Sequence, residues 1–233
     1  MSARPQYSTL PVWWEISVVA MMALLPALRS ALVALFVHQP EPIRLPYWLD
    51  TLDACVAYAP EAFLVLYLIY RSGEQWSAFG IVVPRLGDVL IGVVLVLVPE
   101  LIWWLKSALA APISSGTESY SPIAQSSLDY VLLVVRYGSI AFVEELVYRA
   151  YLITRLEHVI RLESVWQKRL LAVAIPAILF GFSHLYDGFW GVTSALIGGF
   201  LWGFWFQYSR RLWPLVIGHM LYDIRVESFY WNM

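Results

Sequence analysis

Charge is what this chain has least of. Asp, Glu, Lys and Arg make up 14% of its 233 residues, where a soluble domain carries about a quarter. Hydrophobic residues make up 60%, and the mean hydropathy is +0.66. The shortage excludes an ordinary soluble domain and predicts an all-α polytopic membrane helix bundle. Cysteine is the next absence. Cys55 stands alone, which excludes an internal disulfide and a cysteine zinc cage, and it is expected as a small apolar residue in a helix. No internal repeat and no second domain can be drawn, so residues 1–233 read as one integral membrane domain. Residues 1–11 lead into an apolar stretch too long for a signal peptide, with no small-residue cleavage site after it. It is therefore expected to be the first permanent span. The bilayer is the expected surrounding, and no nucleic-acid partner is expected.

About seven spans are predicted, over residues 12–37, 48–70, 86–110, 130–153, 170–186, 189–208 and 212–231. The Pro-rich link 38–46, the polar turn 71–85 and the Ser-, Pro- and Gly-rich loop 111–127 separate the first four. Residues 154–169 are charged and helix-compatible, and are expected to lie on the membrane surface. In the sixth span Gly191, Gly198, Gly199 and Gly203 should let helices approach closely. With the N-terminus inside, the inner segments hold Arg4, Arg71, Arg85, Arg155, Arg161, Lys168, Arg169, Arg210 and Arg211, and the outer ones only Arg44. That asymmetry predicts a cytoplasmic N-terminus. Trp13, Trp14, Trp48, Trp103, Trp104, Trp190, Trp213 and Trp231 fall near span ends, as an aromatic belt should.

Against this apolar background, Phe142-Val143-Glu144-Glu145-Leu146-Val147-Tyr148-Arg149 stands out. Charges at bilayer depth cost about 2.5–3.5 kcal/mol each even on lenient insertion scales, so they are expected to face the protein interior and find partners. On a helix Glu145 and Arg149 stand four apart and can pair. Glu144 is turned about 100° away, which leaves one carboxylate neutralised and its neighbour available. Two further sets follow. Phe180-Gly181-Phe182-Ser183-His184 places a histidine one turn after an aromatic, and His219-Met220-Leu221-Tyr222-Asp223 puts a His and an acid on one helical face. A carboxylate near histidines is material for activating a water. The remaining charges within spans, Arg29, Asp53, Glu61, Glu100, Lys106, Arg136 and Arg225, are expected to form pairs between helices or to sit near an interface.

The order Glu-Glu-x-x-x-Arg, Phe-x-x-x-His and His-x-x-x-Asp, with Leu212-Trp213-Pro214-Leu215-Val216-Ile217-Gly218 leading into His219, resembles the CPBP family of CAAX proteases and bacteriocin-processing enzymes, with a core over residues 128–226. The resemblance implies an intramembrane endopeptidase cleaving near the C-terminus of a membrane-anchored protein or peptide. It implies Glu144 as the base activating water with His184 beside it, Glu145 and Arg149 as a supporting pair, and His219 with Asp223 as the oxyanion site. Asparagine is common in the family at the position of Asp223. An ionised carboxylate cannot donate to an oxyanion, so either Asp223 carries a proton, or it orients His219, or the site differs. His184, His219, Asp223 and Glu144 also make a nitrogen and oxygen set that zinc accepts. However, no His-Glu-x-x-His helix is present, and the metal-free glutamate mechanism that the resemblance implies needs no cofactor. Two other functions compete. One is a proton-coupled transporter, against which stands the lack of repeated halves and paired broken helices. The other is a non-catalytic immunity or scaffold protein. Thirteen Arg against two Lys hints at a GC-rich genome, hence a bacterial inner membrane and an unprenylated hydrophobic substrate tail.

Overall fold

The computed structural model describes residues 11–36, 45–109 and 124–230. The N-terminal residues 1–10, most of the links 38–46 and 111–127, Arg4, Arg44, Trp231 and the side chains of Trp103 and Lys106 lie outside the described residues. Among the described residues every long element is helical and no strand occurs. The long helices are α1 (Val12–Phe36), α2 (Tyr47–Ser72), α3 (Leu86–Leu109) and α4 (Ser127–Glu145). A π-helical segment (Leu146–Ile153) runs on from α4 into the short α5 (Thr154–Val159). Helices α6 (Val165–Ser183), α7 (Gly188–Ser209) and α8 (Trp213–Tyr230) complete the bundle.

Local sequence sets the element ends. Ser126 caps α4 in a reciprocal box, accepting from the backbone N–H of Asp129 while the Asp129 carboxylate accepts from the N–H of Ser126, which satisfies two orphan amides. Gly73 ends α2 in the left-handed conformation (φ 71°), where a side chain is strained. One expectation is corrected here. Residues 154–169 form no separate surface helix: α5 continues the fourth span with Thr154, Arg155 and Leu156 buried, a short turn follows, and α6 begins at Val165, five residues earlier than drawn. Charge misled the reading, because Arg155 is buried and its charge is met inside the protein, where it pairs with Glu74.

Helix α8 lies between α3 and α4, α4 packs against α2, and α6 pairs with α7. Small residues set the closest approaches. A Cβ on Gly203 would stand 2.7 Å from Val173 Cγ1, and one on Gly199 would stand 3.0 Å from the Ala177 backbone. Gly198 faces open space, and Gly191 meets only Asp187, so two of the four glycines make the α6–α7 contact.

Apolar and polar residues are distributed the opposite way round from a soluble protein. Phe63 is 73% exposed and Leu97 63%, whereas Glu145, Arg149 and His219 are buried. Such a surface is suited to lipid. Among the described residues, four helical stretches, Val12–Arg29, Tyr47–Ser72, Val165–Ser183 and Leu185–Ser209, are long and apolar enough to cross a membrane. The other long helices, α3, α4 and α8, hold Glu100, Arg136, Glu144, Glu145, Asp223, Arg225 and Glu227. At one end of the bundle Arg71 pairs with Glu15 at 2.6 Å, Arg210 with Glu157 at 2.5 Å and Arg211 with Asp88 at 2.6 Å. The connection between α2 and α3 is tied to the α7–α8 turn there, the Leu212 N–H donating to the Gly80 carbonyl at 3.0 Å.

The charges outside the motifs resolve in different ways. Arg136 pairs with Asp50 at 2.6 Å and lies 3.9 Å from Glu227, and Arg225 pairs with Glu100 at 2.8 Å. Arg29 and Asp53 are exposed. Cys55 sits in α2 with its Sγ 3.7 Å from Ser139 Oγ of α4. Glu61 of α2 is half-buried.

Candidate active site

The fold brings together Glu144, Glu145 and Arg149 at the junction of α4 and the π segment, and His219 and Asp223 of α8. Glu145 is the hub. It is 0% exposed and makes a 3.0 Å ion pair with Arg149, as its i,i+4 spacing predicts. The same oxygen, Oε1, lies 2.8 Å from His219 Nδ1. A carboxylate paired with an arginine accepts, so Nδ1 carries a hydrogen and donates it to Glu145. This contact joins residues 74 apart in sequence, and no helical spacing could predict it.

Anchoring one ring nitrogen aims the other. His219 Nε2 lies 3.5 Å from Glu144 Oε2 and 3.6 Å from Asp223 Oδ2. Both separations exceed a good hydrogen bond, so neither carboxyl group closes on the ring. The side chains of Glu144 and Asp223 remain 15% and 21% exposed, so both are less buried than His219.

Aromatic rings frame the other side. The Arg149 guanidinium carbon lies 4.2 Å from the centre of the Phe180 ring and 5.7 Å from that of Trp202 on α7. Both rings also meet His219 edge-on, at 6.0 and 5.5 Å. Ring faces carry negative charge density and attract the cation, so Arg149 is held by more than Glu145.

His184 sits at the end of α6, where the chain leaves helical geometry (φ −101°, ψ 21°). Its Nδ1 lies 2.9 Å from the Phe180 carbonyl and 3.2 Å from Ser183 Oγ, and its ring packs 4.7 Å from Phe180. The two histidines thus flank one phenylalanine ring, and the polar contacts of His184 are with its own helix end. Of the four residues named as a zinc set, Glu144, His219 and Asp223 come together, and no polar contact ties His184 to them. Among the described residues no three His, Cys, Asp or Glu side chains converge as a metal centre requires.

Two contributors escaped the motif reading. The Tyr58 hydroxyl of α2 donates to Glu144 Oε1 at 3.0 Å, and Trp202 closes the ring frame. The π segment was also unforeseen. All eight of its residues are buried, and such wide turns recur at functional sites. Only the polarity of the second span hinted at α2.

Residues 126–225 match the family model described as Type II CAAX prenyl endopeptidase Rce1-like. No curated protein and no solved structure matches the chain. The matched stretch opens on the capping residue Ser126 and holds all three motifs, so the resemblance carried by those motifs is borne out there. Together with the apolar helices, the match identifies an integral, multi-pass membrane protein.

Proposed function

From a chain whose residues 126–225 match the Rce1-like CAAX endopeptidases, we propose an intramembrane endopeptidase of the glutamate type. The observation that carries the reading is the aim of His219. With Nδ1 fixed on Glu145, its Nε2 faces two carboxyl groups, Glu144 at 3.5 Å and Asp223 at 3.6 Å. Glu144 takes the proton of a water bound against its Oε2, and the hydroxide attacks the scissile carbonyl. The tetrahedral oxyanion forms against Asp223 and against His219, which acts with both ring nitrogens protonated, Nδ1–H on Glu145 and Nε2–H on the oxyanion. When it collapses, the C–N bond breaks and the proton on Glu144 passes to the departing amine. His184, its Nδ1–H held by the Phe180 carbonyl, offers Nε2 as an acceptor for a hydrogen of the water or substrate.

In this reading Asp223 acts in its protonated form, as a donor to the oxyanion. Asp223→Asn places an N–H in the same position and is expected to keep turnover, whereas Asp223→Ala should lose about 10²–10³, the usual cost of an oxyanion donor. The measurement is cleavage of a membrane-anchored peptide by the protein reconstituted in liposomes, with products identified by mass. If Asp223→Asn is inactive and a chelator inhibits the wild type, Asp223 is a metal ligand and the donor role fails.

The substrate is a membrane-associated protein with a hydrophobic C-terminal tail, cut near that end. Seven spans, a cytoplasmic N-terminus and a bacterial inner membrane complete the proposal. The basic residues of the turns support this orientation, since Arg71, Arg155, Arg210 and Arg211 gather with their acid partners at one end of the bundle. Among the residues at that end, His158 is 53% exposed in its side chain. A His158→Cys protein carrying Cys55→Ser is expected to react with an impermeant thiol reagent only after the membrane is opened. Labelling of intact cells would reverse the topology.

A further inference from the structure

The matched stretch omits α2, yet α2 reaches the reacting carboxylate. Thr51, Cys55, Tyr58, Ala62, Val65 and Ile69 follow a three-four spacing that makes one stripe along α2, and Cys55 and Tyr58 of that stripe meet α4. Thr51, Val65 and Ile69 are buried, and Cys55 touches Ser139 of α4. The packing therefore fixes the rotation of α2 on both sides of Tyr58. Its hydroxyl is delivered to Glu144 Oε1 at 3.0 Å across 86 residues of sequence.

The two oxygens of Glu144 thereby take separate partners. Oε1 accepts from Tyr58, while Oε2 faces His219 Nε2 at 3.5 Å. A glutamate side chain without the first contact can turn about its last torsion, a broad and roughly two-fold rotation with no strong minimum. Glu144 belongs to the partly open side of the site, so packing alone does not hold it. Nothing on α4 replaces the contact: Arg149, the nearest cation along the helix, is committed to Glu145 and to the rings of Phe180 and Trp202.

We propose that Tyr58 is a positioning residue of the proteolytic site, holding Glu144 so that Oε2 faces His219, where the water is activated. The inference rests on the proposed role of Glu144 as base and adds to it a residue from outside the matched stretch. It also gives α2 a function beyond spanning the bilayer.

The test uses the full chain in liposomes with a membrane-anchored peptide substrate, in four forms: wild type, Glu144→Gln, Tyr58→Phe and Tyr67→Phe. Tyr67 lies on the exposed face of α2 and serves as control. Tyr58→Phe removes one oxygen and keeps the packed ring. It is expected to lower kcat by about 10–10², the scale of a misplaced reacting group, with KM and the thermal midpoint unchanged, while Tyr67→Phe behaves as wild type. Full kcat in Tyr58→Phe would overturn the proposal. So would a raised KM at unchanged kcat, which would make Tyr58 a substrate contact, or a fall in kcat matched by a fall in thermal midpoint, which would make it structural. If wild type and Glu144→Gln cleave alike, the glutamate reading itself fails and takes this inference with it. If they differ and Tyr58→Phe is normal, only the inference falls.

Discussion

Glu144→Gln is expected to lose about 10²–10⁴ in turnover, the usual contribution of a general base, while remaining folded and able to bind substrate. The structure separates the two effects. The carboxylate neutralised by Arg149 belongs to Glu145, so removing charge from Glu144 leaves that pair intact. A glutamine carbonyl can still accept the Tyr58 hydroxyl, which now meets Glu144 Oε1 at 3.0 Å. The substitution also relieves crowding of like charge, since the carboxylates of Glu144 and Glu145 both stand against His219. The thermal midpoint should therefore stay level or rise, as it often does where a site holds groups in strained company. Turnover by the purified protein and unfolding in detergent decide the matter together. Cleavage by Glu144→Gln at the wild-type rate, in the presence of a chelator, would remove the glutamate mechanism altogether. Loss of folding would instead assign Glu144 a structural role that its contacts do not suggest.

Helical spacing made much of this arrangement readable in advance. Glu145 and Arg149 share one helix, and a four-residue interval implies their contact whatever else the protein does. His219 and Asp223 follow the same rule on α8. The cost of burying charge in a bilayer accounts for the rest of that success, because it turns a few polar residues within apolar runs into candidates. What the spacing could not carry is rotation between helices. Whether Tyr58 of α2 or another residue of that span meets Glu144 depends on how α2 is turned against α4. Thr51, Val65 and Ile69 are buried on the same stripe of α2 as Tyr58, and each reads as an ordinary apolar or small position in isolation. The grip of Glu145 on His219 is hidden for the same reason. His184 shows the limit from the other side: its place after Phe180 reads as one more helical turn, but α6 ends there, and the ring folds back onto the Phe180 carbonyl. In residues 154–169 charge is a fair guide to exposure for Arg161, Glu163 and Arg169, but not for Arg155, which is buried and paired.

Arg149→Ala should be the most damaging single change to the fold. Arg149 is 1% exposed and lies in a segment whose eight residues are all buried. Its removal strands Glu145, which is 0% exposed, and leaving a buried charge without its partner costs about 3–5 kcal/mol. The rings of Phe180 and Trp202 lose the cation between them as well, and the truncated side chain leaves a cavity in the densest part of the bundle. Activity should fall with stability, because Glu145 also aligns His219. An uncompensated carboxylate there would either take up a proton or draw the imidazole out of line. Glu145→Gln should be milder than Glu145→Ala, since its amide oxygen can still accept from His219 Nδ1 while only the charge is lost. Combining Arg149→Met with Glu145→Gln removes both charges and keeps most of the volume, so it should recover much of the folding without recovering turnover. A double-mutant cycle on thermal unfolding, read beside cleavage, separates these terms. If Arg149→Ala accumulates and unfolds as the wild type does, Glu145 does not depend on it, and the clamp that holds His219 must be sought elsewhere in the bundle.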